Sequence, residues 1–237
     1  MNLVFDLHTH TTMSGHAYCT LLENIQCARD NGLQAYGISE HAPAMPGTVS
    51  EMYFINFKVI PKEVYGVKIF CGVEANIIDY DGNIDCSKLI CDRVDYMIAS
   101  MHSHCIEAGT MAQNTSAIIG AMENPLIKVI GHPDDSRYPL DYDAVVQAAV
   151  RTGTLIELNN SSLHPLSARK NGVENIKTLI GKCVEYGAKM IVNSDAHFCF
   201  DVGDFTAMSA LLDEMEVPES LVVNTDISGL DYVLNKK

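Results

Sequence analysis

The sequence predicts an α/β protein in which mainly parallel strands close into a barrel. Short apolar runs alternate with helical segments at intervals of roughly 30 residues, as expected for strand–helix–strand units. The clear strands number seven, and a further apolar run near the end of the chain could form an eighth. This number favours a closed barrel over an open sheet. The Gly-x-Gly-x-x-Gly motif of dinucleotide-binding sheets is absent.

The size and composition indicate one globular domain. The chain has 237 residues, of which 47% are apolar and 19% are charged, and this balance is typical of a protein with a substantial core. No stretch rich in Pro, Gly or Ser divides the chain. We therefore expect residues 1–237 to form a single domain.

Charge and cysteine usage indicate an acidic cytoplasmic protein. The net charge is -14, from 30 acidic and 16 basic residues, which disfavours a nucleic-acid surface because such a surface needs a basic patch. The eight cysteines are scattered without a Cys-x-x-Cys pair, as expected for reduced thiols. The N-terminus lacks a signal-peptide pattern, and no apolar run is long enough for a membrane helix.

The first half of the chain begins with a strand and a capped helix. Thr20 can cap the first helix and Gly32 can end it, because these residue types favour helix N- and C-termini. The predicted elements are strand 2–7, helix 21–31, strand 33–39, a Pro- and Gly-bearing loop 42–61, strand 67–74 and a turn-rich segment 78–85.

The second half repeats the alternation with shorter loops. Its longest helix has apolar residues at helical spacing and is followed by Gly187, a typical helix terminator. The predicted elements are strand 95–100, helix 116–123, strand 127–130, helix 141–152, strand 155–158, helix 172–186, strand 190–193, helix 204–215, a short strand 221–223 and helix 230–234.

Two histidines follow the first predicted strand with one residue between them. His8 and His10 come directly after the apolar run 3–5. Side chains at i and i+2 of an extended chain point to the same side, so both imidazoles would face one point. Neutral imidazole is the commonest metal ligand, and a converging pair favours zinc, manganese or iron over magnesium or calcium.

Residues that can bind a metal also stand at the ends of the later predicted strands. The carboxyl ends of parallel barrel strands meet on one face, where barrel enzymes build their active sites. Structural histidines would have no reason to prefer this end. His16 lies in the first loop and can reach the same face, and Asn159 ends another strand. The candidate ligands are His8, His10, His16, His41, Glu74, His102, His132, Asp195 and His197.

This number of candidates indicates a cluster of ions. A tetrahedral or five-coordinate ion takes about four or five ligands, so the candidates suffice for two or three ions. Glu74 is the natural bridge because a carboxylate has two oxygens. A structural site would usually be rich in thiolates, and no cysteine stands at these strand ends.

A cluster of cations suits the hydrolysis of phosphate esters. Clustered cations lower the pKa of a bound water and hold both the attacking and the leaving oxygen of an in-line displacement. We expect the nucleophile to be a metal-bound water held by Glu74, His102 and Asp195. The sequence has no serine nucleophile elbow and no P-loop.

Four further residues have open roles. Arg137 and Arg169 lie on loops after two of the strands, and each could clamp a phosphate or be a solvated surface arginine. His104 could be an extra ligand, a general acid or a loop residue, whereas His164 could equally be a plain surface histidine.

The order of these motifs resembles the PHP (polymerase and histidinol phosphatase) superfamily, and most of all its YcdX-type phosphatases. The motifs are His-x-His, a single His, Glu-His, Val-Glu, Met-His, Gly-His-Pro, Asn-Asn-Ser-Ser and Ser-Asp-Ala-His. They extend from Asp6 to His197 and cover nearly the whole chain. The segment around His104 departs from the family pattern.

The resemblance implies a distorted TIM-like (β/α)7 barrel with three divalent metal ions, usually zinc or manganese. Iron also suits nitrogen and oxygen ligands. Arg169 falls in a stretch similar to the family's Ser-Arg-Lys segment, which supports a contact with phosphate. By analogy the ligand sets, ion by ion, would be His8, His10, Glu74 and Asp195; Glu74, His102 and His132; and His16, His41 and His197.

The leading functional hypothesis is a metal-dependent phosphatase acting on small phosphate monoesters. A dedicated histidinol-phosphate phosphatase would use the same chemistry. A PHP-type exonuclease or phosphodiesterase is disfavoured by the acidity of the chain, and a non-catalytic metal-binding protein is the remaining alternative. The expected partner is a small phosphorylated substrate, without membrane or nucleic acid. The loop 42–61 could gate the pocket or form a subunit contact in a homo-oligomer.

Overall fold

Seven parallel strands form a nearly closed barrel in the computed structural model, which describes residues 1–234. The strand order is β1-β2-β4-β5-β6-β7-β8, and the short strand β3 pairs antiparallel with β4 at its edge. This arrangement confirms the predicted (β/α)7 barrel. The strands are β1 (Phe5–Asp6), β2 (Ala35–Ile38), β3 (Glu63–Val64), β4 (Val67–Asn76), β5 (Tyr96–Ser100), β6 (Ile127–Ile130), β7 (Leu155–Asn159) and β8 (Met190–Asn193).

Helices connect the strands and surround the barrel. No helix within residues 1–234 has both the length and the apolar character needed to cross a membrane. The helices are α1 (Leu21–Asp30), α2 (Glu51–Ile55), α3 (Lys88–Cys91), α4 (Met111–Glu123), α5 (Tyr142–Thr152), α6 (Gly172–Tyr186), α7 (Thr206–Glu214) and α8 (Leu230–Leu234).

Local capping explains where two of the helices begin. Thr20 and Glu23 form a capping box at the start of α1, in which each side chain accepts from the backbone N–H of the other. The same reciprocal pair, Thr110 and Gln113, starts α4 five residues before the predicted helix 116–123. Predicted loop 42–61 also contains α2 and a 3-10 turn at Asn56–Val59, because Phe54 and Phe57 bury their rings there.

Apolar side chains fill two layers. One layer lies between the strands and the surrounding helices, and the other fills the barrel interior. Tyr96 belongs to the inner layer, and its hydroxyl donates to the Leu7 carbonyl oxygen at 2.5 Å. Gly37 and Gly72 leave room for its ring, because a Cβ at either glycine would lie 2.3 Å from a Tyr96 atom.

Backbone hydrogen bonds join the first and last strands beyond their carboxyl ends. The Asp195 N–H donates to the His8 carbonyl oxygen at 2.8 Å, and the His10 N–H donates to the Ala196 carbonyl oxygen at 2.9 Å. These bonds hold the loops after β1 and β8 side by side. Ligand candidates from the two ends of the sequence therefore share one rigid frame.

A side chain closes the barrel between the same two strands. Asn224 Oδ1 accepts from the Val192 N–H at 3.1 Å, and Asn224 Nδ2 donates to the Phe5 and Val192 carbonyl oxygens at 3.0 and 2.7 Å. The predicted strand 221–223 is instead a pair of 3-10 turns with one bridge, Met190 to Val222. An amide side chain thus supplies the bonds that an eighth parallel strand would have made.

Candidate metal centre

The predicted ligands converge at the carboxyl ends of the strands, around the carboxylate of Glu74. This side chain is completely buried at the end of β4. The histidine nitrogens that approach its two oxygens follow four different strands, so the barrel fold brings together residues that are distant in sequence. They are His8 Nε2 at 3.4 Å, His10 Nε2 at 3.5 Å, His41 Nδ1 at 2.6 Å, His102 Nε2 at 3.2 Å and His132 Nε2 at 2.9 Å.

Asp195 is a second carboxylate of the cluster, on the loop after β8. Its Oδ1 lies 3.6 Å from His8 Nε2 and 3.2 Å from His10 Nε2. Its Oδ2 accepts from Arg169 Nη2 at 2.7 Å and from Asn159 Nδ2 at 3.0 Å. One oxygen of Asp195 therefore faces the histidines, while the other is held by neighbouring donors.

Five of the candidate histidines are oriented by the same device, a hydrogen bond at Nδ1. The acceptors are the Glu157 carboxylate for His8, Ser14 Oγ for His10, the Ser14 carbonyl for His16, Asn76 Oδ1 for His102 and the Asp195 carbonyl for His197, at distances of 2.7 to 3.0 Å. Because these partners accept, each ring carries its proton on Nδ1. In its neutral form each ring then has its lone pair on Nε2.

Two of these acceptors are themselves fixed by further carboxylates. Ser14 donates its hydroxyl proton to buried Glu40 through a short hydrogen bond, so the Ser14 oxygen accepts from His10. Asn76 Nδ2 donates to Asp85 Oδ2 at 2.7 Å, so Asn76 Oδ1 faces His102. The tautomers of the two rings therefore follow from the network.

Several buried atoms of the cluster lack a hydrogen bond of acceptable geometry, which fits a binding site for cations. They are His8 Nε2, His10 Nε2, both ring nitrogens of His41 and Glu74 Oε2. Unpaired buried polar atoms are costly unless a ligand satisfies them. Four overlapping groups of ligand atoms could each hold an ion, namely His10, His41 and His197; His8, His132 and Asp195; His8, His10 and Glu74; and His41, Glu74 and His102.

His16 and His197 give a further indication of a cation at the mouth of the cluster. Their Nε2 atoms are only 3.0 Å apart. Both rings donate from Nδ1 to backbone carbonyl oxygens, so in their neutral forms two lone pairs would face each other. A metal ion or a proton between the rings would remove this repulsion. Nitrogen and carboxylate donors of this kind fit zinc, manganese or iron.

Neighbouring groups keep the two buried carboxylates of the cluster ionised. Burial alone would raise the pKa of Glu74, but the facing His41 and His102 lower the pKa well below its ordinary value. Burial likewise opposes ionisation of Asp195, yet His8 and Arg169 hold its pKa well below the usual range. Burial, followed by the neighbouring His41, lowers the pKa of His10. The site thus keeps its carboxylates ionised at a buried position.

Two site residues adopt backbone conformations that are rare for residues with side chains. His132 has φ +31° and Asp195 has φ +55°. A positive φ at such residues costs free energy and persists where the surrounding structure fixes it. Both lie immediately beyond a strand, where the backbone turns away from the barrel while the side chain stays over its mouth.

Sequence reasoning missed Glu157, a buried carboxylate in the middle of β7. Its Oε1 accepts from His8 Nδ1 and Asn193 Nδ2, and its Oε2 accepts from the His132 N–H and Asn159 Nδ2, at distances of 2.7 to 3.1 Å. The available signal was a charged residue inside an apolar strand, since buried charges need partners. Period-two spacing also places Glu157 on the same face as Asn159.

A cavity of about 940 Å³ opens above the cluster. Arg137, Arg169, His104 and His164 all line it. Arg169 Nη1 donates to Ser161 and Ser162 at 2.8 and 2.9 Å, beside its contact with Asp195. The barrel thus brings both predicted phosphate-binding arginines to the cavity.

The remaining cationic and histidine side chains differ in how firmly they are held. Arg137 is more exposed and pairs with Asp135, its Nε donating at 2.7 Å. His104 and His164 are exposed at the rim, and they are not among the ligand groups within residues 1–234. The eight cysteines are free and likewise contribute to none of those groups.

Comparison with known proteins gives matches over the whole chain. The family model described as PHP domain matches residues 6–161. Proteins named as probable phosphatases in Clostridium novyi, Clostridium acetobutylicum and Caldanaerobacter subterraneus are 41%, 43% and 43% identical. Each alignment spans 100% of this chain, and they span 96%, 96% and 93% of the relatives.

Two solved structures share the fold at low sequence identity. Histidinol phosphate phosphatase from Lactococcus lactis, complexed with zinc, L-histidinol and phosphate, is 14% identical with a TM-score of 0.55, over 83% of this chain and 87% of that one. A chain of archaeal ribonuclease P with mature tRNA is 15% identical with a TM-score of 0.56, over 92% of this chain and 84% of that one. At these identities the similarity concerns the fold alone.

Proposed function

The chain belongs to the PHP domain family, and we propose that it is a phosphatase that hydrolyses small phosphate monoesters with a cluster of three divalent metal ions. We assign residues 1–237 to one catalytic domain. Full-length relatives named as probable phosphatases support the reaction class. The proposal extends this class to a substrate type and to a number of ions.

The observation that carries the proposal is the common orientation of five histidines. Each is held at Nδ1 by an acceptor, and its neutral form therefore has the lone pair on Nε2. Histidine ligands of metals are typically fixed in this way by a partner on the other ring nitrogen. We assign one ion to His8, His10, Glu74 and Asp195, a second to Glu74, His102 and His132, and a third to His16, His41 and His197.

The residues of the chain contribute two ionised carboxylates and two arginines to the proposed reaction, beside the metal ions. When bound, the metal ions would supply positive charge to the phosphate oxygens and lower the pKa of water. Glu74 stays ionised in a buried position, as does Asp195. Arg169 holds Asp195 Oδ2 and lines the cavity, so its remaining N–H groups are positioned to donate to a phosphate oxygen. Arg137 would meet the substrate nearer the mouth.

Phosphate release by protein reconstituted with Zn²⁺ or Mn²⁺ tests the proposal. The substrates would be p-nitrophenyl phosphate, sugar phosphates, mononucleotides, histidinol phosphate and a DNA 3′ end. We expect turnover of monoesters by the wild-type protein, retained by the control Glu63→Gln at an exposed position and lost by Glu74→Gln. Native mass spectrometry should count three ions per chain.

The other outcomes distinguish the alternatives. Turnover confined to histidinol phosphate would indicate a dedicated histidinol-phosphate phosphatase, and release of mononucleotides from the DNA 3′ end would indicate an exonuclease. A fully loaded protein that hydrolyses none of these substrates would contradict the phosphatase. Two ions per chain in an active enzyme would contradict the trinuclear assignment alone.

A further inference from the structure

One wall of the cavity above the metal cluster is apolar. We call this the apolar wall and define it by Met101, Ile118, Tyr138 and Leu140, all of which line the cavity. Met101 directly precedes His102, so the wall begins at the cluster and leads away from it. A cavity of about 940 Å³ is far larger than a phosphate group requires, and most of it must accommodate the rest of the substrate.

Hydrogen bonds hold the apolar wall in place. The Tyr138 hydroxyl donates to the Ile106 carbonyl oxygen at 2.8 Å, so the polar end of that side chain is already occupied. Asn114 Nδ2 donates to the Pro139 carbonyl oxygen at 3.2 Å, and the Asp141 N–H donates to Thr115 Oγ1 at 3.0 Å. These bonds fix the loop after β6 on α4, so the wall is formed before a substrate binds.

The wall is backed by the protein core. Ile118, Tyr138 and Leu140 are 1%, 7% and 7% exposed and belong to the layer between strands and helices, so they support the wall from behind. Met101 packs against that layer and is partly exposed, so it presents most of the wall's surface to the cavity. Because the three buried side chains are packed in the core, they cannot move aside to expose polar groups behind them, and the wall stays apolar. A leaving group that lies on the wall would exchange water for hydrocarbon contact and would find little to hydrogen-bond.

Charged groups elsewhere around the cavity also favour an uncharged leaving group. Asp201 and Asp204 line the rim and disfavour an anionic leaving group such as a second phosphate. A substrate with an uncharged apolar body and one phosphate fits these surroundings.

We propose that the apolar wall is a leaving-group subsite. It selects monoesters of uncharged aromatic or longer aliphatic alcohols over monoesters of polyols and over bisphosphates. This inference rests on the proposed phosphatase function. It gives the substrate class for the same metal centre.

A matched series of substrates and non-hydrolysable analogues tests this selectivity. We would compare kcat/KM for benzyl, hexyl and ethyl phosphate, glycerol 1-phosphate and glucose 6-phosphate. In parallel, calorimetry on the metal-loaded protein would measure the affinities of benzylphosphonate and ethylphosphonate. We expect benzyl and hexyl phosphate to exceed ethyl phosphate by about tenfold or more in kcat/KM, and benzylphosphonate to bind more tightly by a similar factor.

A pair of variants tests whether the preference for benzyl over ethyl compounds arises at the apolar wall. Met101→Gln should lower the benzyl-to-ethyl ratio, in both turnover and binding, by about fivefold or more. Met111→Gln makes the same substitution at a half-exposed position on α4 outside the cavity lining and should keep the wild-type ratio.

The outcomes separate the two proposals. Equal affinities for the two phosphonates, or a preference for glycerol or glucose phosphate, would overturn the subsite while leaving the phosphatase standing. Tighter binding of benzylphosphonate without hydrolysis of any monoester would support the subsite and contradict the phosphatase. An unchanged ratio in Met101→Gln would overturn the assignment to this wall.

Discussion

Glu74 is the residue on which the cluster depends most directly. Five histidine nitrogens lie within 3.5 Å of its carboxylate. In Glu74→Gln the amide keeps the volume but loses the negative charge and one acceptor. We predict that metal affinity falls by more than about 100-fold while the barrel stays folded, as measured by metal analysis after dialysis and by far-UV circular dichroism. Full metal content in Glu74→Gln, with Glu63→Gln as the control, would contradict the bridging role.

Glu157 is predicted to act on the metals without touching them. Its two oxygens accept from four donors, so an amide at this position would present N–H groups to some of those donors. In Glu157→Gln we expect His8 to lose its fixed tautomer and metal affinity to fall about 10- to 100-fold. Titration with a competing chelator measures this. Excess metal should restore most of the activity, and an unchanged affinity would reduce Glu157 to a core residue.

Arg169 is predicted to need a guanidinium rather than a positive charge alone. Its Nη1 donates to Ser161 and Ser162, while its Nη2 donates to Asp195, a spread that an ammonium group cannot reproduce. For Arg169→Lys we expect kcat/KM to fall about 10- to 100-fold and competitive inhibition by inorganic phosphate to weaken in parallel. The control is Arg151→Lys, an exposed arginine on α5. Normal kinetics and normal phosphate inhibition would remove Arg169 from the phosphate site.

At the scale of elements, the periodic parts of the fold were predictable from the sequence. The helix at Gly172–Tyr186 and the strand at Met190–Asn193 have the predicted bounds, because apolar spacing and a terminating glycine specify them locally. The convergence of the candidate ligands was predictable for a related reason, since parallel strands bring their carboxyl ends together.

Elements fixed by contacts between distant residues were not predictable in this way. The helix α2 depends on the burial of Phe54 and Phe57, and the turn near Asn224 depends on bonds to strands about 200 and 30 residues away in sequence. Glu157 was missed for the same reason, because its partners come from three other strands or loops. A single sequence shows the residue types but not these pairings.

The closure at Asn224 gives the prediction that belongs to this scale. Replacing Asn224 by Ala leaves Val192 N–H and the Phe5 and Val192 carbonyl oxygens without their partner in a buried place. We expect Asn224→Ala to lower the free energy of unfolding by about 2 to 4 kcal/mol. Urea denaturation of the metal-free protein measures this, with Asn2→Ala at an exposed position as the control. A loss no larger than that of the control would show that the barrel does not need this amide.

At the scale of the whole molecule, the residues that would bind metal ions differ from those that close the barrel. The predicted ligands lie at the carboxyl ends of the strands, whereas Asn224 bonds to Phe5 and Val192 within the strands and α8 packs into the inner apolar layer. The buried polar atoms without partners in the described cluster are those that a cation would satisfy. Metal binding should therefore stabilise the protein independently of the closure at Asn224.

This separation leads to a prediction about stability. An ion that binds only the folded protein stabilises it by about 4 kcal/mol at a thousandfold excess over its dissociation constant. For a chain of 237 residues this corresponds to a rise of about 8 °C or more in melting temperature. Differential scanning calorimetry with EDTA and with Zn²⁺ or Mn²⁺ would measure the rise. The metal-induced rise in melting temperature should be similar for the wild-type protein and the less stable Asn224→Ala protein, because the free-energy effects of changes at distant sites add. The rise should be small for Glu74→Gln. Loss of the metal-induced rise in Asn224→Ala would show instead that the metal cluster and the closure at Asn224 are energetically coupled.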